Sequence, residues 1–140
     1  MLSRLTSPDE VLEKAFSCLD DKGFLFISAP NVAGFEYQML GKHHFDVKFD
    51  ISKYFNIDTI TKLLRRIGFR IVNISTPGQL DIEHVRSEAL LMPDKVKITP
   101  FIEKIIMDES VNGNLKRDDL QAYLRKYNLS GSMLIIVRKE

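Results

Sequence analysis

The first part of the chain carries apolar residues at helical spacing. Between Ser7 and Gly23 they recur every three or four residues and form one stripe, which predicts an amphipathic helix. Ser7 is the expected N-cap, Pro8 suits the first helical position, and Glu10 completes a predicted capping box. The residues of the stripe are Leu12, Ala15, Phe16 and Leu19.

Similar patterns predict further helices. Residues 56–68 form the clearest one, with Asn56 as the expected N-cap and Gly68 as the residue that ends it. A turn is predicted around Gly113, where asparagine stands on both sides of the glycine. The other predicted helices cover residues 81–92, 99–109 and 115–127.

Three segments have the pattern of β-strands. The segment FLFISA, from Phe24 to Ala29, is apolar at almost every position, which predicts a strand covered on both faces with Phe26 in the core. Residues 69–75 and 133–138 give the second and third strands. The first two strands are joined by a helix-containing crossover and are expected to pair in parallel. The order of elements predicts an α/β protein with a single domain over residues 1–140.

Composition and charge exclude several classes of partner. The formal net charge is +1, from 20 basic and 19 acidic side chains, which gives no electrostatic reason to expect nucleic acid or an anionic membrane. Cys18 is the only cysteine, so an internal disulfide is excluded and a reducing compartment is favoured. No apolar run approaches the ~20 residues of a membrane span, and the N-terminus lacks the apolar core of a signal peptide. We therefore expect a cytoplasmic protein.

The sequence contains no compact catalytic motif. Its seven glycines are never closer than seven positions, which excludes a G-x-G-x-x-G or Walker A loop within it. His43 and His44 are adjacent and lack the spacing of a zinc site, while His84 is expected to be exposed on a helix. No G-x-S-x-G elbow occurs, and nothing marks Cys18 as activated. We therefore predict no catalytic residue and no metal ligand.

A long loop with one short helix is predicted between Asn31 and Phe55. Its aromatic residues show no clear period and have two interpretations. They form either a small core beneath the loop or an apolar pocket with a few polar groups at the carboxyl end of the first strand. These residues are Phe35, Tyr37, Phe45, Phe49, Tyr54 and Phe55.

The motifs in this order resemble the second half of class I S-adenosylmethionine-dependent methyltransferases. "LDDKGFLFISAPN" is similar to the family's turn, fifth strand and "PN" loop, with Pro30 and Asn31 as the loop residues. "KYFNIDTITKLLRRIGF" is similar to the helix that follows, and "TPGQLD" to a segment found in small-molecule methyltransferases. "LQAYLRKYNLSGSMLIIVRKE" is similar to the closing helix and seventh strand. The resemblance covers essentially the whole chain.

The resemblance implies a partial Rossmann-like methyltransferase fold. Its three-stranded mixed sheet would have the family order 5-7-6, with the last strand antiparallel between the other two and helices on its faces. S-adenosylmethionine is the family's cofactor, but the Gly-rich loop and the ribose-binding acid would lie upstream of Met1. Ile51 stands where the subgroup often has a histidine. We therefore expect a truncated, substrate-side half that does not bind the cofactor by itself.

By the same resemblance, the loop after the first strand would line the acceptor side of a methyl-transfer pocket. Such enzymes often work by positioning donor and acceptor, so no catalytic residue is expected. The candidate pocket residues are Pro30, Asn31, Phe35, Tyr37, His43, His44 and Tyr54.

Two classes of function remain open at this point. The chain is either the substrate-side portion of a methyltransferase acting on a small molecule, or a non-catalytic interaction module or truncated enzyme without activity of its own. In both cases the strand from Phe24 to Ala29 lacks its upstream neighbour, and no charge or proline within it protects the edge. We expect a complementary methyltransferase half or a second copy of the chain to associate there.

Overall fold

The computed structural model describes residues 2–44, 47, 53–78 and 81–140, apart from the side chain of Asp81. The strands are β1 (Phe24–Pro30), β2 (Phe69–Ser75) and β3 (Ser132–Lys139). The helices are α1 (Pro8–Cys18), α2 (Phe35–Leu40), α3 (Ile57–Ile67), α4 (Asp81–Leu91), α5 (Pro100–Ile106) and α6 (Val111–Lys126). Short 3-10 helices cover Leu2–Arg4 and Gly41–His43. Within the described ranges, no helix is long and apolar enough to cross a membrane.

Strand β3 lies in the middle of the sheet and runs antiparallel to both neighbours. The predicted α/β class and the place of the last strand between the other two are confirmed. The predicted direct pairing of β1 with β2 is wrong, because β3 separates them and both described ladders are antiparallel. Since β1 and β2 are each antiparallel to β3, they point the same way. The segments that follow them therefore meet at one end of the sheet.

The main core lies between one face of the sheet and helices α1 and α3. Ile135 and Val137 of β3 are fully buried there, together with Ile60 and Leu64 of α3. The spacing of the buried residues in α3 is the one that the sequence predicts, since positions three and four apart share a helix face. Leu12 of α1 belongs to the same cluster. This layer accounts for most of the apolar residues that the sequence pattern assigns to a core.

The other face of β1 is open. Phe24 and Phe26 are 51% and 66% exposed, whereas Ile27 and Ala29 on the opposite face are buried. Phe26 pairs across the ladder with Ile136, which is half-buried. The predictions that both faces of this strand are covered and that Phe26 belongs to the core are therefore wrong. The apolar run in β1 gives an exposed hydrophobic face instead.

A second apolar cluster lies among α2, α4, α5 and α6. Leu40, Val85, Ile106 and Leu124 form its centre, one from each helix, and each is at most 4% exposed. The segment before α5 is tied to α2 by a backbone hydrogen bond of 2.9 Å from Lys97 N–H to the Met39 carbonyl. The cluster holds α2 and α4 beside the end of the sheet at which β1 and β2 finish.

Helix α3 begins and ends as its sequence predicts. The Asn56 side chain accepts a 2.8 Å hydrogen bond from Thr59 N–H, and the Thr59 hydroxyl accepts one of 3.0 Å from Asn56 N–H. Gly68 ends the helix with a φ of 112°, the left-handed conformation that glycine adopts without strain. The predicted capping box of α1 is wrong, because Ser7 makes no side-chain cap bond and its ψ of 75° lies outside the usual N-cap region.

The predicted turn around Gly113 is also wrong, because Gly113 lies in the first turn of α6. Ser110 is the N-cap, and its hydroxyl accepts a 3.1 Å hydrogen bond from Gly113 N–H. A Cβ at position 113 would overlap the backbone carbonyl of Asp108. The glycine is needed here for close packing.

The same segment holds a carboxylate with a shifted pKa. Hydrogen bonds from Ser110 and Lys116 lower the pKa of the Asp108 carboxyl to about 2, so this carboxylate is charged at neutral pH.

We predict that Gly113→Ala destabilises the protein. In an exposed helix interior, alanine is more favourable than glycine by ~1 kcal/mol. Overpacking against a backbone carbonyl, however, costs about 1–3 kcal/mol. The net loss should appear as a lower midpoint in urea unfolding. Asn112→Ala, at an exposed position of the same helix turn, is the matched control and should leave the midpoint unchanged or raise it. Equal midpoints for wild type and Gly113→Ala would contradict the close packing.

Candidate functional site

Three loops meet at the end of the sheet where β1 and β2 finish. The β1–β3 register aligns Pro30 with Ser132, and the β2–β3 register aligns Ser75 with Leu134. The residues after Pro30, those after Ser75 and those before Ser132 are therefore neighbours. Ligands of open α/β sheets commonly bind outside the carboxyl ends of the strands. A binding site is accordingly expected at this end of the sheet.

Asn31 joins the first of these loops to the third. It is 1% exposed, and its side-chain amide donates to the carbonyls of Ser130 at 3.0 Å and Asn128 at 3.3 Å. Its backbone N–H donates to the Gly131 carbonyl at 2.8 Å. The side-chain oxygen accepts from Ala33 N–H at 3.3 Å. The Asn31 amide is thus committed to the protein's own backbone, and its role is to position the loop.

A second buried amide joins the loop after β2 to helix α6. Gln121 donates to the Gly78 carbonyl at 2.9 Å and to the Ser130 hydroxyl at 3.3 Å. The guanidinium of Arg125, one turn further along α6, donates to the same Gly78 carbonyl at 2.9 Å. Because buried carbonyls need partners, these contacts fix the "TPG" turn in place.

Glu36, His44 and His84 form a polar cluster beside these loops. The His44 Nε2 atom lies 3.0 Å from a carboxylate oxygen of Glu36. The ring of Tyr37 stacks on that of His44 with centroids 3.7 Å apart and planes 13° apart. His84 approaches His44 edge-on, at 5.4 Å between centroids. The prediction that His84 is exposed is wrong, since it is half-buried and faces this cluster.

Glu36 packs against a glycine in the loop before β3. A Cβ at Gly131 would overlap the Glu36 carboxylate, so a larger residue there would require that side chain to shift. Gly131 also accepts the backbone hydrogen bond from Asn31. The strand end and the polar cluster are therefore packed against the same residue.

A cavity of ≈ 470 Å³ opens next to the cluster. Lys42, Lys95, Lys97 and His43 line it, together with Tyr37 and other residues of α2, and no carboxylate is among the described lining residues. Its volume is in the range of small-molecule sites, about 300–1,000 Å³. The exposed ammonium groups of the three lysines suit an anionic group.

The candidate pocket residues do not all lie together. Tyr37 and His43 line the cavity, and His44 packs behind Tyr37. Phe35 packs against the second apolar cluster, and Tyr54 is 45% exposed. Pro30 is buried at the end of β1.

The aromatic loop residues are divided between core and pocket. Phe55 belongs to the main core, while Tyr37 lines the cavity. Phe45, Phe49 and Ile51 lie outside the described residues. Glu36, His84 and the three lysines were missed from the sequence, because residues from separate helices and loops have no shared local pattern.

Comparison with known proteins identifies the family. A family profile described as a methyltransferase domain matches residues 1–74, more than half of the 140-residue chain. The search of curated proteins found no match.

Among solved structures, the chain is similar to phosphoethanolamine N-methyltransferase 2 from Haemonchus contortus, which was determined in complex with S-adenosyl-L-methionine. The TM-score is 0.50 at 11% sequence identity, over 99% of this chain and 31% of that one. This chain thus spans about a third of the length of that protein, and the likeness concerns the fold. The resemblance to S-adenosylmethionine-dependent methyltransferases is confirmed, and the chain belongs to the methyltransferase domain family.

Proposed function

We propose that this chain is the substrate-side portion of an S-adenosylmethionine-dependent methyltransferase that acts on a small molecule. The observation that carries the proposal is the cavity of ≈ 470 Å³ lined by Tyr37, His43 and other residues of α2. Helix α2 follows the loop at the carboxyl end of β1, and ligands of open α/β sheets commonly bind near the carboxyl ends of strands. The family match supports the reaction class.

We further propose that the acceptor molecule carries an anionic group. Lys42, Lys95 and Lys97 surround the cavity, and ammonium groups bind phosphate or carboxylate as point charges. Tyr37 would contact the apolar part of the acceptor, since a tyrosine ring offers a large apolar surface with one polar tip. The chain's own residues would bind and orient the acceptor, and the methyl donor would supply the group transferred.

The donor itself requires residues that this sequence lacks. No two glycines are close enough for the Gly-rich loop on which backbone amides approach a nucleotide. We propose that S-adenosylmethionine is bound by a complementary part of the enzyme. Donor and acceptor would then meet at the loops that follow β1 and β2.

A second candidate function is a non-catalytic interaction module, or a truncated methyltransferase without activity of its own. The observation that favours it is the exposed face of β1, where Phe24 and Phe26 are more than half exposed. An apolar groove lined by Leu2, Leu5 and Val11, among others, runs beside the same strand. Exposed apolar surface of this kind is typical of a protein–protein contact.

The 140-residue chain alone is expected not to bind S-adenosylmethionine at micromolar concentrations. The reason is the absence of a Gly-rich loop from its sequence. Isothermal titration calorimetry with S-adenosylmethionine and S-adenosylhomocysteine should give only heats of dilution. Saturable binding with a stoichiometry near one would show that the chain holds the donor by another arrangement, and the proposed division of roles would then be abandoned.

Lys97→Ala is expected to weaken binding of inorganic phosphate and small phosphomonoesters in the cavity roughly two- to fivefold, because exposed charge pairs contribute ~1 kcal/mol or less. The measurement is chemical-shift titration of the backbone amides of α2 at low ionic strength. Lys14→Ala, an exposed lysine on α1, is the control and should change nothing. If both variants bind phosphate with wild-type affinity, the lysines do not belong to the acceptor site.

Phe26→Lys is expected to abolish self-association through β1 without lowering stability, since Phe26 is 66% exposed. Sedimentation velocity across a concentration series should show a rising mean mass for wild type and a monomer for the variant. Phe101→Lys replaces another exposed phenylalanine, at 72%, and should behave as wild type. If wild type stays monomeric at all concentrations, β1 does not mediate contact between copies of this chain.

A further inference from the structure

The polar cluster brings together three side chains that commonly bind metal ions. Glu36 comes from α2, His44 directly follows the 3-10 helix Gly41–His43, and His84 comes from α4. One donor atom from each residue lies within 4.8 Å of the other two. His44 and His84 are forty positions apart in the sequence, so their approach is produced by the packing of α2 on α4.

The cluster is shielded from solvent. His44 is 3% exposed, and the Glu36 side chain is 13% exposed. The Nε2 atom of His84 is buried and has no hydrogen-bond partner among the described residues. A buried polar atom without a partner costs free energy. A cation bound among the three donor atoms would give the His84 imidazole a polar partner.

We propose that Glu36, His44 and His84 bind a divalent transition-metal ion, with zinc as the reference case. Two imidazoles and one carboxylate are a donor set that suits Zn²⁺ and its neighbours in the first transition series. Three protein ligands leave a fourth coordination position open, as in zinc sites that bind water or substrate. The metal site is independent of the proposed function and would stand if the acceptor were of another kind.

The distances require only small side-chain movements. Zinc–ligand bonds of about 2.0–2.2 Å in a tetrahedral site place the donor atoms roughly 3.4 Å from one another. The Glu36 carboxylate and His44 Nε2 are already 3.0 Å apart. The remaining donor, within 4.8 Å of the others, needs to move inward by at most about 1.5 Å, which rotation of an imidazole accomplishes.

The surroundings hold two of the ligands in place. The Tyr37 ring lies parallel to the His44 imidazole at 3.7 Å, which fixes the plane of that ring. The absence of a side chain at Gly131 leaves space for the Glu36 carboxylate. Such outer contacts orient metal ligands and contribute to affinity.

The competing interpretation is an ordinary ion pair between Glu36 and His44, with His84 packed against it edge-on. Both interpretations account for the burial and the ring geometry. They differ in whether the chain, without a polyhistidine tag, takes up one equivalent of metal. They also differ in whether His84 is needed for that uptake.

The test is a zinc titration of the untagged full chain at pH 7.5, in competition with a chromophoric chelator. Cobalt(II) absorption in the visible region reports the coordination geometry. Wild type is expected to bind one equivalent. His84→Ala should weaken zinc binding about tenfold or more, because loss of an outer contact alone costs 10–100-fold. His43→Ala, a histidine that lines the neighbouring cavity, should keep wild-type affinity.

Glu36→Gln serves as a second variant, since it keeps the shape of the side chain and removes its charge. Far-UV circular dichroism of both variants establishes that they are folded. Loss of zinc binding in a folded His84→Ala or Glu36→Gln, with retention in His43→Ala, supports the site. Absence of stoichiometric binding by wild type, or equal binding by His84→Ala and His43→Ala, overturns it and leaves the ion pair as the explanation.

Discussion

The antiparallel insertion of β3 between β1 and β2 is the constraint on which the rest of the molecule depends. It makes β1 and β2 point the same way although β3 separates them in the sheet. It also returns the chain, at Ser132, to the end at which Pro30 and Ser75 leave the sheet. Three loops from distant parts of the sequence thereby become neighbours. The polar cluster and the lysine-lined cavity lie beside α2, which follows the first of these loops.

Two buried amides hold that arrangement together. Asn31 connects the loop after β1 to the loop before β3, and Gln121 connects the turn after β2 to α6. Asn31 donates to the Ser130 carbonyl. Gln121 shares the Gly78 carbonyl with Arg125, and a buried carbonyl left unsatisfied costs ~1–3 kcal/mol. The amide nitrogens of both side chains are therefore occupied by contacts within the protein. The residues that line the cavity belong to α2, the 3-10 helix after it and the segment before α5.

The sequence predicts the local features of this fold because they are decided by neighbouring residues. The caps of α3 at Asn56 and Gly68 follow from side-chain chemistry within one turn. The turn expected at Gly113 fails because Ser110 caps α6 and the Asp108 carbonyl leaves room for no side chain. Local propensity favours a turn there, and tertiary packing overrides it.

The site was only partly predictable for a different reason. Tyr37 and His43 follow β1 closely enough to be found from their position in the chain. The sequence predicts an exposed His84, because its helix has charged neighbours and no partner nearby in sequence. Its contact with His44 exists only because α2 packs on α4 through Leu40 and Val85. No periodicity encodes such a pair, so it emerges only from the three-dimensional packing.

The two candidate functions use different surfaces of the same molecule. The cavity and the polar cluster involve α2, α4 and the segment before α5, whereas the exposed phenylalanines lie on β1. A partner that covered Phe24 and Phe26 would bury apolar surface worth about 25 cal/mol per Å² before the cost of association. Such an association is independent of the lysines and histidines around the cavity. Under the proposed function, an enzyme assembled from two parts would use both surfaces, whereas an interaction module would use only the strand.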